Sequence, residues 1–174
     1  MRMLSRVCVA LLGTVLVAAA ACTDRSPLAP ATPAPTAGLF GDIVEATGLL
    51  SCTPLPADSV SETIGPEGGI LYVGPHRLIV PAGALAAPVT ITAVVPSDTV
   101  NQVQFQPEGL TFETPAYLTL SYANCNLLGQ LVPKRIAYTT DALDILEYLV
   151  SFDNLWARRV TGRLEHFSTY AVAW

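Results

Sequence analysis

Cationic side chains are scarce in this 174-residue chain: Lys134 is its single lysine, and Lys and Arg together number nine against 14 Asp and Glu. A chain without a basic stripe has nothing to neutralise a phosphate backbone, so no nucleic-acid partner is expected. Histidine is also sparse, with only His76 and His166. No GxSxG, HExxH, CxxC or phosphate-binding loop occurs, which leaves the common hydrolase, metalloprotease, thiol-redox and nucleotide sites without support and implies no cofactor. The apolar stretch at residues 7–17, extended to Cys22 only by alanines, is shorter than the roughly 20 residues that a spanning helix needs.

What is present at the amino end reads as an export signal. Arg2 and Arg6 supply a positive start, residues 7–17 an apolar stretch, and "VAAAAC" a small-residue cleavage site ending at Cys22. "AAAC" looks like a bacterial lipobox, which assigns residues 1–21 to a signal peptide and makes Cys22 the acylated residue that anchors the protein in membrane lipid. Ala19 stands where lipoboxes prefer Leu, so ordinary signal-peptidase cleavage or an uncleaved anchor is the alternative. Asp24 is two positions beyond Cys22 rather than next to it, which favours the outer membrane over inner-membrane retention; the side it faces is left open. Removing Arg2 and Arg6 leaves seven basic residues against 14 acidic ones, a net charge of −7.

Residues 22–37 carry Pro27, Pro30, Pro33 and Pro35 among Ala, Ser and Thr, the composition of an extended tether. Residues 38–52 place Leu39, Phe40, Ile43, Val44, Leu49 and Leu50 near helical spacing and predict a short amphipathic helix packed on the domain. The domain proper, residues 53–174, is long enough for one core. With Cys8 in the signal and Cys22 at the lipid site, Cys52 and Cys125 remain as an even pair in an oxidising compartment and predict a disulfide.

From Val60 onward the pattern changes to short β-type runs punctuated by Gly, Pro, Asn and Asp, over residues 69–73, 76–80, 89–95, 102–106, 110–112, 116–122, 135–140, 145–150, 157–164 and 166–174. Ten short strands without an intervening helix predict an all-β antiparallel sandwich. In "AYLTLSY", Tyr117, Thr119 and Ser121 share one face and Leu118, Leu120 and Tyr122 the other. In "HFSTYAVAW" the same alternation puts His166, Ser168, Tyr170, Val172 and Trp174 together on one face of a terminal strand.

The ordered run from Gly68-Gly69 through "LIVPAGAL" to Pro107, Gly109, Leu110, Phe112, Pro115, Leu118 and Leu120 resembles a ZU5 domain over about residues 62–122. The resemblance implies a β-sandwich that works by interaction, with an envelope protein as partner; the spectrin-type surfaces of eukaryotic relatives have no matching motif here. The tripeptide His166-Phe167-Ser168 resembles the self-cleaving point of some ZU5–UPA proteins. Carried over, Ser168 would be nucleophile, Phe167 the carbonyl donor and His166 the base, a chemistry that needs a strained peptide and an aimed hydroxyl. The plainer reading makes the three ordinary strand residues, with no catalytic residue in the chain. A cleft converging on His166 and Ser168 would favour chemistry; an exposed apolar patch or open sheet edge would favour assembly on envelope proteins.

Other constellations read as structural. Asp141, Asp144, Glu147 and Asp153 lack the alternation and turn glycine of a calcium loop and read as turn and strand residues. Arg158, Arg159 and Arg163 suggest cross-strand pairing with carboxylates before an anion or lipid-headgroup site. His76 is isolated, and no metal site is expected.

Overall fold

The computed structural model describes residues 48–127 and 132–174. They form two antiparallel sheets facing each other, with no helix among the described residues. The first sheet holds β1 (Asp58–Ile64), β4 (Val89–Val95), β5 (Gln102–Gln106), β11 (Thr169–Ala173), β7 (Arg135–Thr139) and β8 (Ile145–Tyr148), in that spatial order. The second holds β2 (Gly69–Val73), β3 (His76–Val80), β6 (Thr111–Ser121), β10 (Arg159–His166) and β9 (Ser151–Asn154). The expected all-β sandwich is what the chain forms.

Alternation of apolar and polar residues selects the inner faces. His76, Leu78 and Val80 are buried on β3 while Arg77 and Ile79 face outward, and on β6 Leu118 and Leu120 are fully buried while Tyr117 is exposed. Between the sheets, Phe167 stacks on Phe105 at 4.8 Å and meets Phe112 edge-on at 5.0 Å. Offset and edge contacts of this kind are the favoured aromatic geometries. At the turn into β2, Gly68 has φ +78°, and a Cβ there would stand 2.5 Å from the Val80 carbonyl oxygen, so no larger residue fits.

Several expectations are corrected. Residues 38–47 of the expected helix lie outside the described residues, but 48–52 are extended. Leu49 bridges Ala173, Ser51 bridges Val100, and Leu50 N–H donates to Val172 O. Gly48 has a positive φ, +75°, and the pairing of residues 49–51 with Ala173, Val172 and Val100 satisfies these backbone groups in extended form, so no helical turn is made here. The runs 110–112 and 116–122 are one strand, β6; Pro115 does not break it, because the pairing with β10 shifts between Leu164 and His166 and absorbs the missing N–H in a bulge.

The terminal stretch is not one strand. β10 ends at His166 and β11 starts at Thr169, so Phe167-Ser168 is the passage from one sheet to the other, and His166 and Ser168 do not share a strand face. β11 is also buried on both faces. Tyr170 and Val172 join the core between the sheets, while Ala171 and Ala173 form a second cluster with Leu49, Val100 and Ala137. β1 and β9 were missed by periodicity because they are edge strands whose side chains are mostly exposed.

Candidate functional site

The passage between sheets fixes the three residues singled out by sequence. Phe167 is fully buried, and its backbone is fully engaged: its N–H donates to Leu110 O (2.8 Å) and its carbonyl accepts from Gly109 N–H (2.9 Å). Ser168 is 8 % exposed, and its carbonyl accepts from Phe105 N–H at 3.1 Å. His166 Nδ1 lies 3.3 Å from Phe167 O and 3.5 Å from Tyr170 Oη. The histidine therefore approaches the carbonyl of the Phe167–Ser168 peptide, with its other contacts on Tyr170 and Tyr138.

A cleft of about 290 Å³ opens beside this corner, lined by Tyr138, Glu147, Leu149, Val150, Arg163, Glu165, His166 and Tyr170. It includes His166 and does not include Ser168. Tyr138 meets the His166 ring edge-on at 5.0 Å, and Tyr170 donates its hydroxyl to His166 O at 2.6 Å. Burial, helped by Tyr138 and Glu147, raises the Tyr170 phenol above its ordinary range, so it stays a donor at neutral pH. At the rim Arg163 Nε pairs with Glu165 Oε1 at 3.0 Å, between two exposed side chains.

The remaining sequence candidates are placed as follows. Cys52 and Cys125 form the expected disulfide, sulfur to sulfur 2.03 Å. Cys22 lies outside the described residues. Asp153 accepts from Tyr122 Oη (2.6 Å) and Lys134 N–H (2.8 Å), Asp144 N–H bonds Thr140 Oγ1 (3.1 Å), and Asp141 accepts from Thr169 Oγ1 (3.2 Å). These acids fix strands and turns, and among the described residues no three His, Cys, Asp or Glu side chains gather as a metal site. His76 is buried beneath the second sheet. Its Nδ1 accepts from Ser121 N–H at 3.1 Å, its Nε2 has no hydrogen-bond partner, and burial with Arg159 nearby pushes its pKa down to about 4.

The feature that sequence reading missed is the outer face of the second sheet. Cross-strand register aligns Tyr72, Arg77, Thr119, Thr161 and Phe152 in one row over five strands. A second row aligns Ile70, Ile79, Tyr117 and Arg163. Phe152 is 74 % exposed, Tyr72 61 %, Ile70 47 % and Tyr117 45 %. Exposed aromatic rings beside Arg are the composition enriched at protein interfaces; here Tyr72 and Phe152 stand on the two edge strands, with Arg77, Thr161 and the buried Thr119 between them. The outward parity of Tyr117 was legible in "AYLTLSY"; the rows were not, because they depend on pairing between distant segments. In comparisons with known proteins, the chain matches no protein-family model and no curated protein closely enough to count as a relative.

Proposed function

We propose that this protein is an exported bacterial lipoprotein, anchored through acylated Cys22, whose ZU5-like sandwich serves as a non-catalytic binding or structural module in the cell envelope. The observation that carries the reading is the apolar, aromatic-and-arginine face on the second sheet, presented by two cross-strand rows. Sheets that face water normally place polar residues outward; the exposure of Tyr72, Ile70, Tyr117 and Phe152 exceeds that pattern and fits a surface that another protein covers. The corner at His166 to Ser168 fits the same reading, since the cleft beside it lacks the would-be nucleophile.

The test is a photo-crosslinking amino acid in cells, placed at position 72 or 117 and, as control, at the exposed Ser61 on β1 of the other sheet. The two sheet-face positions should yield one discrete protein adduct that the control does not. Equal adducts at all three positions, or none at 72 and 117, would refute the sheet face as the binding surface.

A further inference from the structure

The hairpin between β9 and β10 ends in a feature that the sheet face does not explain. Asn154 Oδ1 accepts from Ala157 N–H (3.0 Å) and Leu155 O accepts from Arg158 N–H (3.3 Å), which closes a tight turn at residues 155–158. The turn holds Trp156 wholly in solvent, 100 % exposed, with Leu155 40 % exposed beside it and Phe152 just below on β9. Tryptophan is usually at least partly covered on folding. Here the turn is well formed and the ring is still left out.

The backbone explains how the tip is held. Arg158 has φ +49°, the left-handed conformation with which short hairpin loops commonly close, as Leu143 does at φ 66° in the loop between β7 and β8. Arg158 Nη1 donates to Ala123 O at 3.2 Å, which steadies the guanidinium at the base of the turn.

Charge completes the pattern. Residues 154–164 contain Arg158, Arg159 and Arg163 and no acidic residue, in a chain with 14 acids. Arg163 pairs with Glu165, whereas Arg158 and Arg159 have no carboxylate partner among the described residues. We propose that this hairpin tip is a membrane-contact element: Trp156 and Leu155 sink into the headgroup region of a bilayer while Arg158 and Arg159 meet anionic lipid phosphates. A protruding tip with two arginines at its base matches a surface that is soft, anionic and indifferent to rotation about the tip. Trp is enriched at that depth because its ring is apolar and its N–H can still reach water, and arginines near an anionic leaflet gain from its surface potential. The remainder of the domain, with its acidic excess, is repelled by the same leaflet, so attraction is confined to one end.

The inference rests on export to the envelope but not on acylation, and the experiment separates them by using the mature chain with Cys22→Ala. That protein is sedimented with phosphatidylcholine vesicles prepared with and without phosphatidylglycerol. Binding to the anionic vesicles is expected, with a blue shift of tryptophan emission. It should weaken by about tenfold or more in Arg158→Gly/Arg159→Ser and in high salt, as screening of two charge contacts requires. Trp156→Ser should lose both binding and shift. Arg158→Gly relieves the left-handed backbone, so a loss of binding there is not a loss of folding. The proposal fails if folded wild type ignores anionic vesicles or if Trp156→Ser binds equally well. It fails too if the tip instead drives a concentration-dependent dimer that Trp156→Ser dissolves without vesicles. Any of these outcomes would leave the sheet-face reading intact.

Discussion

Acid should destabilise this domain through His76 in a way that one substitution can isolate. The imidazole is fully buried on β3, with Nδ1 committed to Ser121 N–H, and its pKa is held at about 4 by burial and by Arg159. In the unfolded chain the same group titrates near 6.5. As pH falls below that value the unfolded state binds the proton first, so the stabilising contribution is complete above pH 6.5 and is lost progressively towards pH 4. Between pH 7 and pH 4.5 the loss is about 2 kcal/mol, which with a urea dependence of about 1–2 kcal/mol/M lowers the midpoint by roughly 1–2 M. His76→Asn offers an oxygen where Nδ1 stood and cannot titrate. It should cost some stability at neutral pH, yet its urea midpoint should fall less than that of wild type between the two pH values. Carboxylates contribute equally to both proteins and drop out of the comparison. Parallel pH profiles for wild type and His76→Asn would refute the argument.

Three further outcomes are expected. Metabolic labelling with a palmitate analogue should mark the wild type and not Cys22→Ala, and equal labelling would remove lipidation from the account. A non-reduced digest of exported protein should join the peptides holding Cys52 and Cys125; closing 73 residues of separation implies that Cys52→Ser/Cys125→Ser is less stable by about 4 kcal/mol on the chain-entropy account, read by urea unfolding. Intact-mass analysis should give one mature species that Ser168→Ala leaves unchanged, whereas a seven-residue peptide starting at Ser168, released on denaturation from wild type alone, would show that the Phe167–Ser168 bond is cut.

How legible the molecule was in its sequence depended on whether a feature is local. "HRLIV" shows β3 because it is a short apolar, β-branched run, with His76, Leu78 and Val80 recurring at the strand period and Arg77 standing between the first two. "DSVSETI" does not show β1, because five of its seven residues are exposed and only Ile64 is buried. An edge strand of this kind is held by its partner: Ser61 and Thr63 hydroxyls bond Thr92 and Thr90 across the pair at 2.7 and 2.9 Å. "HFSTYAVAW" misled for a different reason. A passage between two sheets keeps an alternating look, and nothing in the letters says that Ala171 and Ala173 will be covered by Leu49. The disulfide needed only counting. The sheet face needed register: Tyr72 and Phe152 stand in one row only because β2, β3, β6, β10 and β9 pair as they do.

The Gly48–Cys52 segment, extended where a helix was expected, also sets how the domain would carry mechanical load. A pull arriving from upstream first meets two backbone hydrogen bonds to the terminal strand, Leu50 N–H to Val172 O and Trp174 N–H to Gly48 O. Hydrogen bonds peeled one at a time resist weakly. Two residues farther on, the force reaches Cys52 and crosses the sulfur–sulfur bond to Cys125. The 73 residues of separation between them hold β1 to β6, and while the bond is intact that loop bears none of the tension. Stretching the oxidised chain end to end would therefore release a length shorter by about 250 Å, at some 3.4 Å per residue, than stretching the reduced one. Oxidation, in this arrangement, turns the larger part of the sandwich into slack that a pull on the chain cannot take up.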